Sequence, residues 1–262
     1  MDESPPAWPG LRARFAAGGS DFAFVIPVYN HARNVGMVAG QALASGAPVF
    51  VVDDGSDDGS EAALAQIGAA RVIRHPENRG KGAAILTGLS AAAAAGARFA
   101  VTVDADGQHR PDEARRLLAA VFAGTEAVPR PCLVVGLRLG MKELAVPWSS
   151  RMGRAFSGFW VWASGGPRLV DSQSGFRVYP VAETLALPTR SRRFEFEVEV
   201  LVHAHRAGIP IREVPVSVAY DPPGGRVSHF RPWRDFGRNS AVFARLILAR
   251  FTSPATRRRD GA

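Results

Sequence analysis

Apolar runs alternate with helix-compatible segments through the first half of the chain. The apolar runs predict strands over Phe22–Val28, Pro48–Val52, Arg71–Ile73 and Phe99–Val103. Helix-compatible segments lie between them, over Asn34–Ser45, Ser60–Gly68 and Gly82–Ala95. Because fully apolar strands must be covered on both faces, this alternation predicts an α/β fold with a mostly parallel, Rossmann-like sheet and helices on both sides.

The second half of the chain has a different pattern. Aromatic residues and arginines are concentrated over Trp148–Gly166, and an apolar helix with three arginines is predicted over Phe236–Phe251. Both segments are typical of amphipathic helices at a membrane interface. They are equally typical of core helices whose arginines extend to solvent. Residues 1–20 and 253–262 are predicted to be loose ends, the latter basic.

Polar clusters follow three of the predicted strands. They are Tyr29-Asn30, Asp53–Asp57 and Asp104–His109. Each cluster alone is also typical of turns and helix caps. Because the carboxyl ends of parallel strands meet at one edge of a sheet, where such folds bind ligands, we expect the three clusters to form one site.

The pair Asp104 and Asp106 indicates a metal site. Residues two apart in an extended segment point the same way, so both carboxylates can face one point beyond the strand end. Oxygen ligands suit Mg²⁺ or Mn²⁺, with phosphate oxygens completing the shell. Gln108 is close enough in sequence to add an amide oxygen.

Two further segments indicate nucleotide binding. Asp53 and Asp54 end a strand, where a carboxylate can accept hydrogen bonds from a base or ribose. The segment Asn78–Gly82 leads into a helix whose N-terminus attracts anions, and its glycines permit close backbone approach. It lacks the full spacing of a phosphate-binding loop.

Charge and composition restrict the partners. The 262 residues carry a formal net charge of +8, which attracts polyanions such as anionic lipid or phosphorylated substrates. The sequence has no recognised nucleic-acid motif, so we predict no nucleic-acid partner. No apolar run reaches the ~18 residues that span a bilayer. The single cysteine, Cys132, lies in an apolar run, excludes an internal disulfide and fits a cytosolic compartment.

Six motifs occur in an order that resembles glycosyltransferase family 2, in particular its branch of dolichyl-phosphate mannose and glucose synthases. The resemblance covers roughly residues 22–230. The motifs are Pro27–Asn30, Asp53–Asp57, Asn78–Gly82, Asp104–Pro111, Asp171–Arg177 and Glu213–Val216.

The resemblance implies a GT-A fold, an inverting mechanism and a divalent cation, Mg²⁺ or Mn²⁺. It also implies a catalytic domain over residues 21–230, with a donor half over 21–125 and an acceptor half over 126–230. A C-terminal helix over 231–252, in contact with the membrane, would follow.

The resemblance also implies roles for individual residues. Asp106, Arg138 and Arg177 would be catalytic, and Asp104, Asp106 and Gln108 would hold the metal. The donor nucleotide would contact Pro27, Tyr29, Asn30, Asp53, Asp54, Lys81 and Asp104. The acceptor phosphate would contact Arg138, Arg151, Ser174 and Arg177. A loop over the diphosphate would include Arg226, Ser228 and His229, with His229 standing where the branch usually has lysine.

These expectations describe transfer of a hexose from a UDP- or GDP-sugar to a polyprenyl or dolichyl phosphate. The enzyme would be cytoplasmic and peripheral at the inner face of an anionic membrane, where a membrane-protein partner is also conceivable. The alternative acceptor is a hydroxyl group of a glycolipid or polysaccharide, which would need a carboxylate base. Family members with hydroxyl acceptors often carry a Glu-Asp pair for this role, and the second half of this sequence has none. A nucleotidyltransferase and a non-catalytic nucleotide- or lipid-binding module remain alternatives.

Overall fold

The computed structural model describes residues 6–17, 21–122, 130–138, 157–218 and 232–252. Four residues predicted to belong to the site lie outside the described residues: Arg151, Arg226, Ser228 and His229.

Seven strands form one sheet in the order β3-β2-β1-β4-β6-β5-β7. Only β6 runs antiparallel to its neighbours β4 and β5, and the other pairs among the described residues are parallel. The strands are β1 (Phe22–Val28), β2 (Val49–Asp53), β3 (Arg71–Arg74), β4 (Phe99–Thr102), β5 (Leu133–Arg138), β6 (Arg177–Pro180) and β7 (Ile211–Val216). The predicted α/β fold and the four strands of the first half are therefore confirmed.

Nine helices are described around this sheet, together with a 3₁₀ turn over Pro111–Glu113. They are α1 (Trp8–Ala17), α2 (Ala32–Leu43), α3 (Ser60–Ala65), α4 (Lys81–Ala94), α5 (Ala114–Ala120), α6 (residues 157–163), α7 (Val181–Leu185), α8 (Phe196–Arg206) and α9 (Pro232–Thr252). The helix predicted over Asn34–Ser45 begins and ends two residues earlier than expected.

The core has two layers because side chains alternate across each strand. In β1, Phe24 and Ile26 pack with α1, α2, α3 and α5 on one face. On the other face, Ala23 and Val25 pack with α4, α6, α7, α8 and α9. Helices thus cover both faces, as predicted. Cys132 is buried as expected, and burial raises the pKa of its thiol.

The prediction of a loose segment over residues 1–20 is wrong for residues 8–17, which form α1. Leu11 and Phe15 lie four residues apart on one face of α1 and are both buried. The ring centroid of Phe15 lies 5.2 Å from that of Phe22 and 4.7 Å from that of Phe122. In the sequence, Pro9 and Gly10 at the start of this segment favour an irregular structure. Aromatic packing nevertheless stabilises the helix.

The sheet topology places five of these strand ends at one edge. The carboxyl ends of β1, β2, β4 and β5 meet there, and the antiparallel β6 begins there. Arg177, the first residue of β6, pairs in register with Thr102 of β4 and Val135 of β5. The segments after β4 and before β6 are therefore neighbours, although about seventy residues separate them in the chain.

The two helices predicted as amphipathic contact each other. Trp160 of α6 stacks on Phe243 of α9 with ring centroids 6.2 Å apart. Val242, Phe243 and Leu246 are buried, whereas Leu248 is exposed. Across the described ranges, no helix combines the length and apolar character needed to cross a bilayer.

Candidate active site

A buried ion triad lies at the edge of the sheet where the strand ends meet. The ammonium of Lys81, the first residue of α4, lies 2.8 Å from Asp104 Oδ1 and 3.0 Å from Glu197 Oε1 of α8. The three side chains are 16%, 26% and 9% exposed. The triad therefore joins α4, the segment after β4 and α8 at one point.

The ion pairs of this triad keep Lys81 and Asp104 ionised. Burial opposes the charge on Lys81, but the carboxylates of Asp104 and Glu197 outweigh it and raise the pKa of the lysine. Burial likewise opposes ionisation of Asp104, and Lys81 outweighs it and lowers the pKa of that carboxyl. Asp104 is thus a carboxylate at neutral pH, the form that can bind a cation.

Asp106 lies in a turn that other residues hold in place. Its Oδ1 accepts a hydrogen bond from the Gln108 N–H at 3.0 Å, and its carbonyl accepts one from Asn34 Nδ2 at 2.7 Å. Asp104, Asp106 and Gln108 are all partly exposed. The structure therefore keeps the three predicted metal ligands together on an accessible turn.

Gly175 leaves room for the ion triad. A Cβ atom at this position would lie 2.6 Å from Lys81 Nζ and 2.6 Å from Asp104 Oδ2. The Gly175 carbonyl accepts a hydrogen bond from Thr102 Oγ1 at 2.7 Å. The backbone before β6 is therefore fixed against β4 at a distance that only glycine permits.

Asp54 positions a loop, whereas the sequence predicted that it contacts the nucleotide. It is 2% exposed. Its Oδ1 accepts from the Arg79 N–H at 2.9 Å, and its Oδ2 accepts from the Gly80 N–H at 2.7 Å. His75 Nδ1 lies 2.6 Å from the same carboxylate. With these partners, Asp54 shapes the backbone that leads to Lys81.

Asn30 and Asp53 also hold backbone in place. Asn30 has a φ of 55°, and its side-chain amide exchanges hydrogen bonds with Asp57 at 2.7 and 2.9 Å. Asp53 is buried and accepts from the Ser56 N–H at 3.0 Å. These contacts join the ends of β1 and β2, and the direct contact of the two side chains with a nucleotide stays a prediction. Pro27 is buried in β1, and Tyr29 is partly exposed.

Arg177 is the main correction to the predicted site. The sequence assigned it to catalysis and to the acceptor phosphate, but the side chain is fully buried. Its guanidinium donates to the carbonyls of Ser174, Ser172 and Glu197 at 2.6, 2.8 and 2.6 Å. It cannot reach an acceptor from there, and it instead supports the segment before β6 from below. Ser174 is buried as well.

Arg138 stands at the end of β5 and forms a bidentate ion pair with Asp171. Its Nε lies 2.6 Å from Asp171 Oδ2, and its Nη2 lies 2.8 Å from Oδ1. Asp171 is 1% exposed and Arg138 is 17% exposed. Glu213 of β7 accepts hydrogen bonds from the N–H groups of Val170 and Asp171. Arg138 is thus oriented by Asp171 while part of its side chain remains exposed.

Glu199 orients the loop that packs on the nucleotide motif. It is fully buried and accepts from the Ser191 N–H at 2.7 Å and the Arg190 N–H at 3.2 Å. Burial opposes its ionisation, but hydrogen bonds from His203, Ser191 and Arg190 outweigh burial and lower its pKa to about 2. These contacts give Glu199 a role in orienting the loop.

Comparison with known proteins decides the family. Residues 23–132 match the family model described as Glycosyl transferase family 2. The chain is 31% identical over 209 residues to polyprenol monophosphomannose synthase of Mycolicibacterium smegmatis, covering 74% of this chain and 75% of that protein. The chain belongs to glycosyltransferase family 2. A second relative of the family is the UDP-N-acetylglucosamine–dolichyl-phosphate N-acetylglucosaminyltransferase of Methanococcus voltae, 29% identical over 217 residues, with 75% of this chain and 84% of that protein covered.

A solved structure confirms the GT-A fold. Glucosyl-3-phosphoglycerate synthase from Mycobacterium tuberculosis, in complex with Mn²⁺, uridine diphosphate and glucosyl-3-phosphoglycerate, superimposes with a TM-score of 0.67. The two chains are 20% identical, and the match covers 95% of this chain and 86% of that one. The sequence resemblance to family 2 is therefore confirmed together with its fold.

The residues of the turn after β4 fit a divalent cation. Within the described ranges, no cluster of three or more histidine, cysteine or acidic side chains could hold a metal. Mg²⁺ commonly needs only one or two carboxylates, with substrate phosphates and water as the other ligands. Asp104 and Asp106 would provide these two carboxylates, and Gln108 would provide a further oxygen.

Sequence reasoning missed three residues that organise the site: Glu197, Asp171 and Gly175. Each lies in a motif that the sequence analysis used or near one, but none stood out by residue type. A signal was available for Asp171, since a buried arginine at a strand end needs a carboxylate partner. The close approach of Gly175 to Lys81 and Asp104 is visible only in three dimensions.

We predict that Gly175→Ala lowers sugar transfer by about a hundredfold, because its methyl group would separate Lys81 from Asp104. The control is Gly36→Ala in α2, where a Cβ meets nothing within 4 Å and transfer should be unchanged. Initial rates and melting temperatures of both variants provide the measurement. A Gly175→Ala enzyme with wild-type rates would show that the triad geometry is unimportant.

We predict that Glu199 makes stability depend on acid pH. Its pKa is lower in the folded chain than in the unfolded one, so its contribution is complete above about pH 4.5 and disappears as the pH falls towards about 2. Glu199→Gln should cost about 3 kcal/mol of unfolding free energy at pH 7 and much less at pH 3. Urea unfolding at both pH values tests this, with the partly exposed Glu195→Gln as control. Equal losses for Glu199→Gln at the two pH values would contradict it.

Proposed function

We propose that this enzyme transfers a hexose, with inversion, from a UDP- or GDP-sugar to a polyprenyl or dolichyl phosphate. The observation that carries the proposal is the placement of Arg138 beside the carboxylate turn. Arg138 ends β5 and Asp104 follows β4, so both lie at the edge where the strand ends meet. One relative is named for a polyprenol monophosphomannose product and the other for transfer to dolichyl phosphate, which supports a lipid-phosphate acceptor.

The donor would bind between the nucleotide motifs and the turn after β4. The Asp54-held backbone of Arg79 and Gly80 leads directly to Lys81, which lies 2.8 Å from Asp104. Asp104, Asp106 and Gln108 would hold Mg²⁺ or Mn²⁺, which would neutralise charge on the leaving diphosphate. Lys81 adds a positive charge beside that position, so the chain itself also favours departure of the nucleoside diphosphate.

The reaction would be a direct displacement. An oxygen of the acceptor phosphate forms a bond to the anomeric carbon while the bond from that carbon to the diphosphate oxygen breaks. The products are a lipid-phosphate sugar of inverted configuration and a nucleoside diphosphate. Because a phosphate oxygen is already anionic at pH 7, no proton has to be removed, and positioning of the two substrates carries the rate.

The pairing of acidic side chains at this edge favours a phosphate acceptor over a hydroxyl acceptor. Asp104 and Glu197 share Lys81, and Asp171 is paired with Arg138. Lys81 lowers the pKa of Asp104, which makes that carboxylate a poor general base. Glu197 and Asp171 are already engaged with Lys81 and Arg138. An acceptor that needs no base avoids this difficulty.

We further propose that the enzyme works as a peripheral protein at the inner face of an anionic membrane. Phe159 and Trp162 of α6 are exposed at 54% and 44%, and Leu248 of α9 is exposed at 65%. Arg168 lies over the Trp162 ring at 5.0 Å. Exposed aromatic rings beside arginines suit the boundary between lipid headgroups and acyl chains. A peripheral position would bring a lipid phosphate within reach of Arg138.

We predict that Asp106→Asn abolishes transfer, by about a thousandfold or more, because an amide is a weaker ligand for a hard cation. Transfer of radiolabelled sugar from UDP- and GDP-sugars to polyprenyl phosphate, with Mn²⁺ or Mg²⁺, measures the effect. The nearby Asp112→Asn removes a carboxylate that pairs with Arg115 and should leave the rate unchanged. Full activity of Asp106→Asn would refute the metal role.

We predict that Arg138→Gln raises the KM for the lipid phosphate about tenfold or more, since it removes a charge-assisted hydrogen-bond donor. The affinity for nucleoside diphosphate, measured by calorimetry, should change little. Because the single variant leaves Asp171 buried without its partner, Arg138→Gln/Asp171→Asn serves to separate stability from acceptor binding. The acceptor defect should persist in this double variant. An equal loss of donor and acceptor binding would overturn the assignment.

A further inference from the structure

A cationic cleft, separate from the candidate active site, lies between the segment that precedes α8 and helix α9. It has a volume of about 400 Å³. Arg190, Arg192 and Arg193 line one side, and Arg245 lines the other together with the apolar residues Ala241 and Val242. Glu195 is the only acidic residue in this lining, so the described wall carries a formal charge of +3.

Among the residues that the structure describes, most of this positive charge has no acidic partner. Arg192 donates only to the carbonyls of Thr189 and Ser191, at 3.3 and 3.0 Å, and Arg193 donates to Asn78 Oδ1 at 2.8 Å. Over the ranges that the structure describes, no carboxylate forms an ion pair with Arg190, Arg192 or Arg193. Arg245 is paired with Glu199. Like charges gathered in a concave surface repel each other, and a bound anion would relieve that repulsion.

We propose that this cleft binds a phosphate group, at a site separate from the donor and acceptor positions. Guanidinium groups recognise phosphate oxygens through paired hydrogen bonds, and Arg190, Arg192 and Arg193 have no described carboxylate partner that would compete for them. The apolar wall of Ala241 and Val242 suits a phosphate ester with an apolar substituent. The same chemistry is offered by a free phosphate and by a phospholipid headgroup.

The cleft is connected to the donor side of the enzyme by short contacts. The Arg192 carbonyl accepts from the Ala83 N–H at 2.8 Å, within the first turn of α4. A Cβ on Gly80 would lie 2.4 Å from the Arg193 side chain, so this arginine rests directly on the residue before Lys81. A phosphate that steadies residues 190–193 therefore also steadies the start of α4.

The test measures binding of inorganic phosphate without nucleotide or metal, by calorimetry and melting temperature at constant ionic strength. Arg190 and Arg192 are exposed, so Arg190→Gln/Arg192→Gln should fold normally. We expect this variant to bind phosphate about tenfold more weakly or worse. The control Arg14→Gln/Arg71→Gln removes the same charge from exposed positions on α1 and β3 and should bind like wild type.

Vesicles distinguish the two sources of phosphate. Flotation with phosphatidylglycerol in phosphatidylcholine, compared with phosphatidylcholine alone, is measured for the same variants. If the cleft variant, unlike the control, loses binding to the anionic vesicles, the ligand is a lipid headgroup. If the cleft variant loses binding of inorganic phosphate but keeps its binding to the vesicles, the ligand is a free phosphate. Equal losses in both variants, or no loss in the cleft variant, would overturn the proposal. Because no nucleotide sugar is used, the result is independent of whether the enzyme transfers sugar to a lipid phosphate.

Discussion

The ion pairs of Lys81 with Asp104 and Glu197 are the interaction on which the site depends. The ammonium lies 2.8 Å and 3.0 Å from the two carboxylates, and all three side chains are largely withdrawn from water. Such a group is stable only when every charge has its partner, because each unpaired member would bear its full desolvation cost. The surrounding features follow from this requirement. Gly175 has no side chain that would separate the ions, Thr102 holds the Gly175 carbonyl, and Asp54 fixes the backbone that delivers Lys81.

Two arginines show how similar residues acquire different tasks through burial. Arg177 begins the antiparallel strand β6 and is enclosed between β4 and β5, where its donors are consumed by backbone carbonyls. Arg138 ends β5 at the same edge, remains partly exposed and is held by Asp171 from behind. The first makes the floor of the site rigid. The second can present charge to a substrate, with less entropy to lose because the ion pair already orients its guanidinium.

Charged side chains at the site and on the surface both suit anionic partners. At the site, Lys81 pairs with Asp104 and Glu197, and Arg138 pairs with Asp171. Away from the site, arginines gather in the cleft beside α9, and exposed aromatic rings lie on α6. An enzyme with these features is suited to two anionic substrates, a nucleoside diphosphate sugar and a phosphate-bearing acceptor.

The sequence alone determined the α/β class, the first four strands and the family, because these depend on local hydrophobic periodicity and on short motifs at strand ends. Tertiary structure alone decided that Arg177 and Asp54 support backbone, that Glu197 and Asp171 complete the ion pairs, and that Phe15 anchors α1 in the core. The physical reason is that burial and pairing depend on which distant segments meet. A motif specifies which residues are present, whereas the antiparallel insertion of β6 between β4 and β5 decides which of them still face a substrate.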